Sequence, residues 1–276
     1  MALDEFVDRK DKIIDVAEST FLKSIPEIQD KLARRLQTWL STLDIKNGKL
    51  DQNQALIDKI ADLERVINEE LRALGYGREI QDYLSNFDQI DKLNQDLHLD
   101  FNDIRVTPAQ INPIRNRMVE ETVDVMAGNG LNVNLKQPVK DLVRKNIVYG
   151  STLSDTEESL RTLMTGNKNK KTLGKLERYA IQISRDSIQQ YDGAVNNQIR
   201  ETFDMPNITY VGSLITDSRW QCQRWVGMGV IPFSSLTEEI ALAEVQGSGM
   251  IPGTNPSNFT VFRGGFNCRH EAIPTF

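Results

Sequence analysis

The sequence predicts a mainly α protein, built of long amphipathic helices and ending in a small α+β C-terminal domain. Three observations carry that expectation. Apolar residues recur at steps of three and four in stripes between Ile25 and Leu97, the spacing of one helix face, and capping signals continue helices through 107–205. Beyond Pro206 that pattern stops, and β-branched and aromatic runs alternate with Gly- and Pro-rich loops. The 276 residues are 39% hydrophobic and 26% charged, ordinary values for a chain that can bury a sizeable core. Three regions follow: 1–105, a helical hairpin or bundle; 106–205, helical and closing on a long helix; and 206–276, the α+β domain.

Residues 4–100 read as helix almost throughout. Ser24-Ile25-Pro26-Glu27 has the form of a capping box, in which hydroxyl and carboxylate satisfy two free backbone amides and proline is tolerated in the first turn. One stripe then runs Ile25, Ile28, Leu32, Leu36, Leu40, Leu43; a second runs Leu56, Ile60, Leu63, Ile67, Leu71, Leu74; a third runs Ile80, Leu84, Phe87, with Leu93 and Leu97 more loosely. Between the first two, Asn47-Gly48 suits a two-residue hairpin turn, with a plain polar loop as the alternative. Thr107-Pro108-Ala109-Gln110 is a second box, opening a helix to about Met126 that Gly128-Asn129-Gly130 ends. Further helices are expected from Gln137-Pro138 to about Gly150, and from a cap at Ser154-Asp155-Thr156-Glu157 to Gly166. Thr172 to Phe203 reads as one long helix, loosened at Gly193 and stopped by Met205-Pro206. In the tail, 207–216 and 259–265 read as strands, and Ser235-Leu236-Thr237-Glu238 caps a short helix to about Val245.

Two cysteines are too few for a disulfide framework and fit synthesis in a reducing compartment. The opening MALDEFVDRKDK has no apolar core of a secretory signal, and no run approaches the ~20 apolar residues of a membrane span. A net charge of −6 argues against wrapping nucleic acid by charge, so any such contact is local. The one basic run, Lys168, Lys170, Lys171, Lys175 and Arg178, is the candidate DNA contact; the plainer reading is a solvated loop and helix start.

The chemistry-bearing residues gather near the C-terminus. Cys222, Cys268 and His270 are the soft ligands of the tail, and three readings stand side by side. They are packed and hydrogen-bonded structure, a zinc site with Asp217 as a further oxygen ligand, or a disulfide between the cysteines. Asp217-Ser218-Arg219 follows the first tail strand and is either an active-site turn or a polar hinge. A Cys–His nucleophile built on Cys222 or Cys268 with His270 defines an alternative, a small metal- or thiol-dependent hydrolase. His98 lies in an acidic stretch read as helical surface and is given no role. The loop GSGMIPG lacks the lysine of a phosphate loop.

The order of the tail motifs resembles that of the Mu-F-like minor head proteins (phage head morphogenesis proteins) of tailed bacteriophages. The matching positions are Arg185-Asp186-Ser187 in the long helix, then Asp217, Arg219, Cys222 and Gly227, then Gly264, Gly265, Cys268, Arg269, His270 and Pro274. They span about residues 175–276; the helical first half fits in character only. The resemblance implies a non-enzymatic structural protein of the virion, at the portal vertex or inside the head and present in several copies. Its implied partners are portal or major capsid protein and, for the basic run, packaged DNA. Asp217, Arg219, Cys222, Cys268, Arg269 and His270 are then expected to form one polar cluster that holds the tail together.

Overall fold

The computed structural model describes residues 3–50, 54–167, 169–266 and 268–276. Its helices are α1 (Leu3–Leu40), α2 (Gln54–Ala61), α3 (Leu63–Ala73), α4 (Tyr76–Leu84), α5 (Phe87–Asn102), α6 (Pro108–Ala127), α7 (Asn129–Leu131), α8 (Gln137–Val148), α9 (Leu153–Thr165), α10 (Lys175–Thr202), α11 (Trp220–Met228), α12 (Leu236–Gln246) and α13 (Phe259–Phe262). The strands are β1 (Ile45–Lys46), β2 (Lys49–Leu50), β3 (Gly166–Asn167), β4 (Thr172–Leu173), β5 (Asn207–Val211), β6 (Val230–Pro232) and β7 (Glu271–Thr275). The mainly α expectation, with a small sheet near the C-terminus, holds.

Several local expectations change. The Ser24 box starts nothing, because α1 runs straight through Pro26. Ser24 instead donates back to the Phe21 carbonyl at 3.2 Å. Ile14, Ala17, Phe21, Ile25, Ile28 and Leu32 form one uninterrupted buried stripe. Burying each of the larger side chains is worth ~1.5–3 kcal/mol, so the stripe outweighs the ~3 kcal/mol of an internal proline. The Asn47-Gly48 turn is the hairpin, with both residues at positive φ and Ile45 facing Leu50. The second stripe is divided between α2 and α3 at Asp62. Thr107 donates to the Gln110 side chain, and α6 begins at Pro108 as expected. The cap of α9 is Thr152 rather than Ser154: its hydroxyl accepts from the Asp155 amide, and the Asp155 carboxylate accepts from the Thr152 amide.

The long helix begins at Lys175; Thr172 and Leu173 belong to the β3–β4 hairpin. It continues unbroken through Gly193. The missing side chain there serves packing, since a Cβ would lie 2.6 Å from the Val261 Cα. The first tail strand stops at Val211. Residues 259–265 form the helical turn α13 and a loop instead of a strand. β5 pairs instead with β7 on one side and β6 on the other, and no strand pattern in the sequence marks β7.

The chain divides into two compact units. One combines the stretch ending at Ala17 with Leu84–Glu121 and Arg185–Phe276; the other combines Glu18–Tyr83 with Thr122–Ser184. The regions 1–105 and 106–205 are therefore each divided between the two, while 206–276 lies wholly in the first. In the first unit, an antiparallel sheet of order β6-β5-β7 pairs Ile208 with Ile231 and with Pro274. Alternation sends Ala272 to a core with Tyr210, Trp225, Leu236, Ile240 and Phe259, and Ile273 to another with Phe6, Leu93 and Leu97. With both faces covered, all five residues of β7 are buried. In the second unit the core is mostly helical, with Leu63, Ile67, Leu71, Tyr76, Ile80, Val139 and Val143 buried. Tyr76 donates to the Met126 carbonyl at 3.0 Å and Tyr179 to that of Val125 at 2.5 Å.

Candidate functional site

Two features of the first unit hold unusual chemistry. The first is the predicted tail cluster. Asp217, Arg219, Cys222, Cys268, Arg269 and His270 all line one cavity of about 190 Å³. α11 carries Cys222, the turn before it carries Asp217 and Arg219, and the segment before β7 carries Cys268, Arg269 and His270. Cys222 Sγ and Cys268 Sγ lie 3.9 Å apart and are unbonded, so the disulfide reading is not what the fold adopts. Cys268 Sγ is 3.5 Å from His270 Nδ1 and 3.4 Å from the Tyr210 hydroxyl. Tyr210 is fully buried, with its ring stacked 5.6 Å from that of His270. Arg219 donates to the carbonyls of Gly264 (3.0 Å) and Phe266 (2.5 Å), and Gln221 donates to Gly264 as well (3.1 Å). These bonds fix the loop that brings Cys268 to Cys222.

Gly264 is required there: a Cβ would lie 2.9 Å from both Cys268 Sγ and the Tyr210 hydroxyl. A hydrogen bond from Cys222, with help from His270 and Tyr210, holds the Cys268 thiol well below its ordinary range against the effect of burial. The same bond and burial push Cys222 up. Asp217 is exposed and stands outside the close group of Cys222, Cys268 and His270, so it is not the fourth ligand. Arg269 is exposed as well.

The second feature was not anticipated. Lys10, on α1, has no exposed surface and donates to Asp192 at 2.6 Å, to Glu271 at 3.3 Å and to Asn94 at 3.3 Å. Arg263, 2% exposed, pairs with the other oxygen of Asp192 and lies 3.1 Å from Glu271. Two buried cations thus face two buried carboxyl groups. Asn94 and Asn196 both donate to Asp192, and Asn196 meets His98 Nε2 at 3.1 Å. His98, expected on the surface, is fully buried, with Nδ1 2.8 Å from Asn102. It lies on the inward face of α5, which its acidic sequence neighbours conceal.

Burial alone would raise the Asp192 carboxyl, but Lys10 and Arg263 outweigh it and hold it below the usual range. Burial pushes Glu271 up to about 7 despite the same two cations, with Asp192 adding repulsion. Burial lowers His98 to about 4. A signal for Lys10 existed in the sequence: it interrupts the stripe Phe6, Ile14, Ala17 on the buried face of α1.

Of the basic run, Lys170 and Lys171 are exposed beside the β3–β4 turn, and Lys175 and Arg178 sit in the first turns of α10, Arg178 exposed. Lys168 lies outside the described residues. Among the described residues, no helix is long and apolar enough to cross a membrane. No family model, curated protein or solved structure matches the chain.

Proposed function

We propose that the protein is a non-enzymatic minor head component of a tailed-bacteriophage virion, bound to portal or capsid protein and aiding head assembly, DNA packaging or DNA delivery. The observation that carries this is convergence. The motif residues Asp217, Arg219, Cys222, Cys268, Arg269 and His270 surround one cavity, while Gly264 admits the loop that closes it. A pattern scattered over some fifty positions of sequence thus corresponds to one folded device. Arg219, with Gln221 beside it, is tied to backbone carbonyls of the closing loop, which suits bracing. The charged outer faces of the helices suit attachment to another protein surface, and exposed Lys170, Lys171 and Arg178 suit a local contact with DNA.

The test is composition of purified particles. The chain is expected in gradient-purified heads at a fixed low copy number relative to portal, and particles made without it should be misassembled or poorly filled. Its absence from intact particles overturns the reading. The hydrolase alternative rests on the same cavity reaching the two thiols and His270. It requires a turnover that Cys268→Ser or His270→Ala abolishes in protein with unchanged circular dichroism.

A further inference from the structure

We propose that Cys222, Cys268 and His270 form a zinc site with three protein ligands and a fourth position open to the adjoining cavity. Tetrahedral zinc with Zn–S of about 2.3 Å and Zn–N of about 2.05 Å sets the ligand atoms about 3.8 Å (S to S) and about 3.6 Å (S to N) apart. The observed separations are 3.9 Å between the sulfurs and 3.5 Å from Cys268 Sγ to His270 Nδ1. All three ligand atoms lie within 4.8 Å of one another. Two thiols and an imidazole are the donor set that selects a soft divalent ion over magnesium or calcium.

The surroundings fit the same ion. The Tyr210 hydroxyl, 3.4 Å and 3.8 Å from the two sulfurs, can donate to a metal-bound thiolate. Gly264 leaves the space beside both sulfurs clear. The cavity, about 190 Å³, touches all three ligands and is lined further by Ser213, Ser218, Arg219 and Arg269. A water, or an anion drawn by the two guanidinium groups, completes the tetrahedron from that side. Zinc binds both sulfurs as thiolates, so any thiol proton still present is released to solvent and no oxidation state changes. The site rests on this geometry alone and stands or falls separately from the head-protein reading.

The experiment strips the full chain with a chelator under reducing conditions, then titrates it with cobalt(II) and displaces the cobalt with zinc(II). The expected result is a thiolate-to-cobalt charge-transfer band with tetrahedral ligand-field bands, saturating at about one equivalent and abolished by zinc. Cys222→Ser, Cys268→Ser and His270→Ala should each weaken binding by at least about tenfold, and Asp217→Asn should leave it unchanged. Since those ligand variants can lose the fold, the unmodified chain supplies a second readout: zinc should slow alkylation of both cysteines by at least about tenfold. An octahedral cobalt spectrum, retention of the band in folded Cys268→Ser protein, or alkylation rates indifferent to zinc overturns the proposal.

Discussion

Lys10 is a cation with no exposed surface, and it is the partner that Asp192 and Glu271 share with Arg263. Removing one member of such a group leaves uncompensated charge in a dry interior. Lys10→Ala is therefore expected to destabilise the protein by about 3–5 kcal/mol, measured by chemical denaturation at neutral pH. His98 gives a pH signature of defined sign. Its folded value, about 4, lies below the ordinary 6.5, so the native state stays neutral while the unfolded chain takes up a proton. The corresponding stability is present above pH 6.5 and is lost as pH falls towards 4, by up to about 3 kcal/mol. Thermal unfolding of His98→Gln should show a shallower acid decline than the parent chain, and parallel profiles would remove His98 as the cause. Glu271, raised, opposes this trend in both proteins and cancels in the comparison. Lys10 was legible as an odd polar residue in a buried stripe. Its partners, in α5, α10 and β7, were not, because pairing over such separations is set by tertiary packing.

Elements were legible where periodicity or turn chemistry acts locally, and failed where packing overrides it. Helix periodicity yielded α3, capping and proline signals yielded α6 and α8, and Asn47-Gly48 was enough to mark a hairpin. The run Phe259–Phe262 has strand composition but forms α13, because Phe259 fills the core against Trp225 at 4.9 Å and Tyr210 at 6.1 Å. β7 holds glutamate, alanine and proline, poor strand formers, and exists because β5 offers a ladder and both faces are covered. Gly193 was read as a weak point of α10, whereas the structure makes it a contact. In an open helix Gly→Ala gains ~1 kcal/mol. Here the added Cβ meets the α13 backbone, so Gly193→Ala should lower the urea midpoint instead of raising it. An increase would mean that α13 yields without resistance.

The overall charge of −6 places any DNA contact on a local patch. Lys170→Glu with Lys171→Glu reverses the exposed part of it. Anisotropy titration with duplex DNA should show weak, steeply salt-dependent binding by the parent chain and none by the double variant. Equal binding by both would remove this patch from the proposed role. Neither compact unit is a continuous stretch of chain, which is why boundaries drawn along the sequence do not separate them. That interleaving bears on how the molecule is made. A ribosome delivers Lys10 261 positions ahead of Glu271. The nascent chain therefore holds an ammonium group whose dry resting place is incomplete until β7 has emerged. Products terminated before β7 would carry that defect permanently, an unpaired charge that favours their clearance by cellular proteases.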